Sequence, residues 1–213
     1  MGFYDSVILP RLLDMACGTK PIHKQRQKIV PQARGHVVEI GIGSGLNLPY
    51  YDPEHVRRVT GIDPDASLWA KAAPRVAACD FPVERMGLSG ESLPLTDGSA
   101  DTVVVTYALC TIPDPVAALR EMGRVLRPGG EILFTEHGRA PDPSVARWQD
   151  RIDPIWKRLA GGCHSGRDIP ALFDAAGLRL ARLEQMYIPG PKVLSYNYWG
   201  AATPHDGRQI DGD

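Results

Sequence analysis

Val37-Val38-Glu39-Ile40-Gly41-Ile42-Gly43-Ser44-Gly45-Leu46-Asn47-Leu48 sets the architecture of this chain. Val37 to Ile40 reads as a buried strand, and it runs straight into a Gly-x-Gly-x-Gly loop. Glycine lets backbone approach a ligand closely and tolerates positive φ. Asp63 follows 22 residues after Gly41, at the end of the next apolar run. An acid at that place can accept hydrogen bonds from ribose hydroxyls. Open α/β sheets bind ligands at the carboxyl ends of their strands, where loop and acid both fall.

Outward from this segment, strands and helices alternate. Strands are expected at 57–62, 82–86, 101–106 and 131–136, the run at 101–106 rich in β-branched residues. Helices are expected at 66–78, kinked or shortened by Pro74, and at 115–126, before an Arg127-Pro128-Gly129-Gly130 turn. The stretch 141–165 breaks the rhythm with Pro141, Pro143, Pro154 and Gly161-Gly162, and reads as an insertion or lid. A helix at 166–176 ended by Gly177, a strand at 178–186 and a last strand near 192–199 complete the series. Upstream, Ile8, Leu12, Met15 and Ala16 share a helical face closed by Gly18, and a short helix runs from Ile22 to Val30. The polar last ten residues are expected to fray. The expectation is α/β: a mostly parallel sheet of seven strands, covered by helices on both faces. It is one domain, 1–213: an N-terminal helical cover (1–34), a cofactor-binding core (35–140), a lid (141–165) and a C-terminal helix and strands (166–213).

Two cofactor classes use a strand, a glycine loop and an acid. A dinucleotide fold wants Gly-x-Gly-x-x-Gly, but position 46 is Leu46. Glu39 also stands two residues before the first glycine, awkward beside a pyrophosphate and useful beside a cation. S-adenosylmethionine has a sulfonium, an ammonium and no phosphate, so the electrostatics favour it over a nicotinamide cofactor.

Composition narrows the partners. With 24 basic and 25 acidic residues the formal charge is -1, which argues against bulk-charge binding of a polyanion. No apolar run approaches the roughly 18 residues of a membrane span. Met1 to Gly18 carries Asp5 and Asp14 and no basic stretch before its apolar residues, so it does not read as a signal peptide. Cys17, Cys79, Cys110 and Cys163 are far apart, and no histidine pair has ligand spacing. A reducing cytoplasm, free thiols and no metal site are the expectation.

Four stretches resemble the class I S-adenosylmethionine-dependent methyltransferases of the methyltransferase-11 type. They are Glu39 to Gly45, Gly61 to Pro64, Gly90 to Pro94 with Asp97 to Asp101, and Glu121 to Gly130. Leu109-Cys110-Thr111-Ile112, Glu136-His137, Ile152 to Trp156 and Gly162-Cys163 resemble more closely the methyltransferase-like 7 group, the alkyl thiol S-methyltransferases and their bacterial relatives. The resemblance implies a Rossmann-like methyltransferase fold and S-adenosylmethionine as cofactor. It implies that Glu39, Gly41, Ile42, Gly43, Gly45 and Asn47 hold the methionine moiety and that Asp63 and Pro64 meet the ribose. Ser89, Gly90 and Glu91 would border the adenine, and Thr106 to Leu109 would pass beneath the sulfonium. Animal members carry a long apolar N-terminal anchor; no such stretch stands here, so stable membrane insertion is not carried over.

Acceptor chemistry is the open part. Methyl transfer needs nucleophile, methyl and sulfur in line, with water excluded. His137, ending the fifth strand, either deprotonates or orients an acceptor or is a hydrogen-bonded structural residue. Asp153 and Trp156 either line the acceptor pocket or pair and pack. Cys110 either borders the acceptor or is a small buried packing residue, and Cys163-His164 reads as a turn. A small, rather apolar thiol is the first expectation, ahead of a phospholipid amine, a phenol or a quinone-like ring. Nucleic acid is disfavoured, because Thr106-Tyr107-Ala108-Leu109 stands where an Asn/Asp-Pro-Pro-aromatic motif would be. A nicotinamide oxidoreductase and a non-catalytic S-adenosylmethionine sensor are the alternatives from other classes.

Overall fold

In the computed structural model, residues 14, 15 and 17–205 are described. The N-terminal helical face through Ile8, Leu12 and Ala16 therefore lies outside the described residues, although the Gly18 amide does close a turn on the Asp14 carbonyl at 2.9 Å.

Seven strands form one sheet. They are β1 (Gly35–Ile40), β2 (Val56–Ile62), β3 (Val83–Met86), β4 (Ala100–Thr106), β5 (Leu126–His137), β6 (Leu178–Tyr187) and β7 (Tyr196–Pro204). The order is β3-β2-β1-β4-β5-β7-β6, with β7 antiparallel to both its neighbours and every other pairing parallel. Chain order reverses between β1 and β4. That is the switch point of a doubly wound sheet, and the crevice at its carboxyl end is where ligands bind.

Alternation along the central strands builds the two cores. Val38 and Ile40 of β1, Val103 and Val105 of β4, and Ile132 and Phe134 of β5 face one layer. There they meet Leu119 and Met122 of a helix at Pro115–Val125 and Phe173 of one at Ile169–Ala175. Val37, Val104 and Leu133 face the other layer, where Ile29 ends a helix at Lys20–Ile29. The helices with described bounds are α1 (Lys20–Ile29), α2 (Ala66–Ala70), α3 (Ala73–Ala77), α4 (Pro115–Val125), α5 (Pro143–Leu159) and α6 (Ile169–Ala175). Asp65, Asp114 and Asp168 cap α2, α4 and α6 by accepting backbone N–H bonds, which satisfies donors that a helix start leaves free.

Several boundaries differ from expectation. Pro74 splits the 66–78 helix into α2 and α3, since proline offers no N–H and fits only a first turn. The Arg127–Gly130 turn is a detour within β5: Leu126 pairs with Ala100, Gly129 takes φ +79°, and pairing resumes at Glu131 with Thr102. β7 begins at Tyr196 and runs to Pro204, later and longer than the run near 192–199.

The largest difference is at 141–165, where an irregular segment is expected and a 17-residue helix, α5, stands. Pro143 sits in its first turn and Pro154 is tolerated in its interior. Gln149, fully buried, anchors this helix. Its Oε1 accepts from the Ala140 N–H at 2.9 Å, and its Nε2 donates to the carbonyls of Gly138 (3.0 Å), Ser165 (2.9 Å) and Val193 (3.1 Å).

Candidate active site

The carboxyl ends of β1, β2, β4 and β5 open into a cavity of about 350 Å³. Its floor is Gly41 to Ser44 with Asp63 and Leu68. Gly41 takes φ +73°, and a Cβ there would lie 2.5 Å from the Cβ of Ala108, so only glycine lets the two loops meet. At Gly43 (φ +51°) a Cβ would point into the cavity, with nothing nearer than 3.8 Å. This is backbone laid open to a ligand. Asp63 faces the same space. Its Oδ2 accepts the Gly43 N–H and its Oδ1 the Asp65 N–H, both at 2.8 Å. Burial raises the Asp63 pKa while the two N–H donors pull it back.

Behind the loop lies a buried polar network that the sequence did not announce. Arg26 of α1 donates from Nη1 to Asn47 Oδ1 at 2.7 Å and to Thr106 Oγ1. Asn47 Nδ2 donates to Glu39 Oε1 at 2.9 Å, and the Tyr51 hydroxyl donates to Glu39 Oε2 at 2.7 Å. Burial pushes the Glu39 carboxyl up to about 7, against those donors and the Arg26 charge. Glu39 and Asn47, both expected to hold the methionine moiety, are buried in this network directly behind the loop and are not among the residues lining the cavity.

The turn after β4 is held from beneath. Tyr107 adopts φ +54°, uncommon for a residue with a side chain. The fully buried Glu136 explains how that turn persists: its Oε1 accepts the N–H groups of Ala108 (2.8 Å) and Leu109 (3.0 Å). Tyr107 also donates its hydroxyl to Asn197 Oδ1 at 2.6 Å and stacks on His137 at 6.5 Å between ring centroids. Thr106, Tyr107 and Ala108 line the cavity, whereas Leu109 is core.

The inner end of the cavity gathers Cys110, His137, Trp156, Ala160 and Cys163. Cys163 Sγ lies 3.3 Å from His137 Nε2. A hydrogen bond from the Cys110 thiol and the adjoining His137 hold the Cys163 pKa down at about 4, despite burial. Burial opposes charge on His137, but the Cys163 sulfur outweighs it and the His137 pKa is raised. Cys110 is pushed well up by its bond to Cys163 and by burial. The contact therefore favours charge separation between Cys163 and His137, with Cys110 held neutral beside them. Cys163 reads as a turn residue in the sequence; in the structure it lines the cavity, as do Cys17 and Cys110. Gly162-Cys163 among the resembling stretches was the available signal.

Other expected contacts fall elsewhere. Asp153 accepts from His164 Nδ1 at 2.7 Å and from the Ser165 N–H at 2.9 Å, so it fastens the end of α5 and does not line the cavity. Glu91 accepts the Asp114 N–H at 2.8 Å, Gly90 packs under Ile40, and Ser89 is exposed. These three, with Gly45 and Pro64, lie outside the cavity lining. Gly41, Ile42, Gly43, Asp63, Thr106, Cys110, His137 and Trp156 are brought together as expected.

The residues fit S-adenosylmethionine: an open glycine cradle, an acid held facing it, a buried carboxylate behind it and an apolar inner end. A methyltransferase domain model matches residues 38–134. The rat thiol S-methyltransferase TMT1B is 36% identical over 168 residues, 74% of this chain and 68% of the relative. The human thiol S-methyltransferase TMT1A is 33% identical over 179 residues, 82% of this chain and 70% of the relative. Among solved structures, a SAM-dependent methyltransferase from Leishmania major superposes with a TM-score of 0.69 at 16% identity, covering 94% of this chain and 80% of the other. With such a fold, cavity and kinship, the chain belongs to the class I S-adenosylmethionine-dependent methyltransferases, in the group of the TMT1A and TMT1B enzymes.

Proposed function

We propose that this methyltransferase acts on the sulfur of a small, rather apolar thiol. The carrying observation is the apolar character of the cavity: Trp156 and Ala160 pack with Cys110 and Cys163, and Ala108, Ile188 and Leu194 line the same space. An apolar thiol suits such a wall, and the names of the TMT1A and TMT1B relatives support the same acceptor class. When bound, S-adenosylmethionine supplies an electrophilic methyl group on a sulfonium sulfur. Asp63 binds the ribose hydroxyls and Gly41 to Gly45 carry the methionine moiety. The family resemblance assigns the adenine edge to Ser89, Gly90 and Glu91 and the ribose to Pro64, all of which would meet the cofactor beyond the lining of the cavity. Glu39 and Asn47 act through the layer behind, by setting the charge near the sulfonium.

A thiol needs little help to react. A thiol with the pKa of cysteine, about 8.5, is roughly 3% ionised at pH 7, a plain alkyl thiol less, and the thiolate is strongly nucleophilic. His137 therefore works as a positioning residue. Its Nε2 is engaged with the Cys163 sulfur at 3.3 Å, and that sulfur raises its pKa, so both effects work against a general-base role. The segment 141–165 closes over the acceptor from Pro154 onward, because Gln149 fastens α5 upstream of that proline while Trp156, Ala160 and Cys163 border the cavity downstream.

The test is a methyl-transfer screen by mass spectrometry with alkyl thiols, amines and phenols side by side. Thiols are expected to be methylated at least tenfold faster than the others. Methylation of a phenol or an amine with none of any thiol overturns the acceptor reading and leaves the methyltransferase assignment intact.

A further inference from the structure

We infer that Cys110, His137 and Cys163 form a site for one zinc-class divalent cation, whose open position faces the methyl-acceptor end of the cavity. The three ligand atoms, two Sγ and one Nε2, all lie within 4.8 Å of one another. Tetrahedral zinc with bonds of about 2.3 Å to sulfur and about 2.0 Å to nitrogen sets sulfur and nitrogen roughly 3.5 Å apart. The observed Cys163 Sγ to His137 Nε2 separation is 3.3 Å, so the pair is already spaced as co-ligands. Two cysteines and one histidine are a donor set that selects zinc over harder cations.

The three come from separate elements, which makes the cluster rigid. His137 ends β5, and Cys110 lies in the turn that Glu136 clamps. Cys163 follows α5 and is tied to that turn by the His164 N–H donating to the Cys110 carbonyl at 2.9 Å. Catalytic zinc sites keep three protein ligands and leave the fourth position for water or substrate. All three residues line the same cavity as Gly43 and Asp63, so a fourth ligand would come from the space that cofactor and acceptor share.

The consequence rests on the thiol reading proposed above. The cation displaces the Cys110 proton and the proton shared between Cys163 and His137, and both pass to solvent. An acceptor thiol then binds the fourth position as thiolate and releases its own proton to water. In the transfer, the bond from methyl carbon to sulfonium sulfur breaks and a bond from that carbon to the acceptor sulfur forms. The thioether product carries no charge and leaves the cation. The cation would thus ionise the acceptor that the pocket otherwise binds mainly as neutral thiol.

The experiment uses the full chain, stripped with a chelator, kept under a phosphine reductant and titrated with Co²⁺ as a spectroscopic substitute. One equivalent is expected to give thiolate-to-cobalt charge-transfer absorption. Affinity should fall at least about a hundredfold in Cys163→Ser and Cys110→Ala, beyond the loss typical of an outer-shell partner. Cys79→Ala, remote from the cavity, should bind as wild type. Retained S-adenosylhomocysteine binding reports that each variant is folded, and His137→Asn provides a third ligand variant should a cysteine variant fail that check. Adding an alkyl thiol should shift the absorption of the cobalt protein. Absent Co²⁺ binding, or binding equal in wild type and folded ligand variants, overturns the site. Binding without any response to the thiol, with full thiol methylation by the stripped protein, overturns the activating role. Thiol methylation by the stripped protein is scored separately, so failure of the metal site is distinguishable from failure of the thiol reading.

Discussion

Alanine at Gly43 and at Gly41 should separate ligand binding from folding within a single loop. Both glycines have positive φ, +51° and +73°, where alanine costs about 1 kcal/mol or more. At Gly43 the new methyl would meet nothing closer than Asp63 Oδ2 at 3.8 Å, so the free protein should lose only that backbone term. The same methyl occupies cavity space beside the acid that receives the ribose. S-adenosylhomocysteine affinity should therefore drop at least tenfold, about 1.4 kcal/mol. At Gly41 the methyl would lie 2.5 Å from Ala108 Cβ, and the turn after β4 would have to move. That turn is pinned by Glu136, so unfolding free energy should fall by about 3 kcal/mol, in the range of overpacking plus backbone strain. Urea unfolding gives the stabilities and calorimetric titration the affinities. Wild-type affinity in folded Gly43→Ala, or equal stability loss in the two variants, would refute the assignment of the cradle.

Asp63→Ala should weaken S-adenosylhomocysteine by about a hundredfold, since charged hydrogen bonds are worth roughly 1.5–3 kcal/mol each, and Asp63→Asn by less; equal calorimetric affinities would show that no ribose is held there. Glu39 titrates near pH 7, raised by burial, and its negative form favours a cationic ligand. S-adenosylmethionine affinity should accordingly rise several-fold from pH 6 to pH 8, with a flat profile in Glu39→Gln and a weaker rise for S-adenosylhomocysteine, which lacks the sulfonium charge. Arg124 of α4 donates to Glu121 Oε1 at 2.7 Å and to the carbonyls of Leu93 (2.9 Å) and Leu95 (2.8 Å). Arg124→Ala should cost about 2–3 kcal/mol in urea unfolding, without altering methyl-acceptor preference.

What could be read in advance divides along a physical line. Strand and helix signals are local, and β1, β2, β4 and α4 stand within a residue or two of their expected bounds because short apolar, β-branched runs and a 3.6-residue period are written into the elements themselves. The Gly41–Gly45 loop and Asp63 were legible for the same reason: loop and acid end adjacent parallel strands, and topology alone brings them together. The 141–165 segment was misjudged because its prolines and glycines were weighed as breakers. Its helix is held instead by long-range bonds from Gln149, a polar residue whose four partners come from three distant places and leave no local pattern.

The same limit governs the chemistry at the inner end of the cavity. Arg26, Asn197 and Cys163 reach it from α1, β7 and the loop after α5, each flanked by sequence with no motif of its own. Cys110 and Cys163 lack ligand spacing along the chain, and a spacing rule returns nothing for them. Their proximity is produced by one strand end and two loop contacts, the Glu136 clamp and the bond from His164 to Cys110. A site assembled this way takes its geometry from the fold and its reactivity from three side chains. The cofactor half, by contrast, takes its geometry from the backbone of one loop. That is why the glycine loop named the cofactor while the acceptor end became readable only once the strands and α5 were in place.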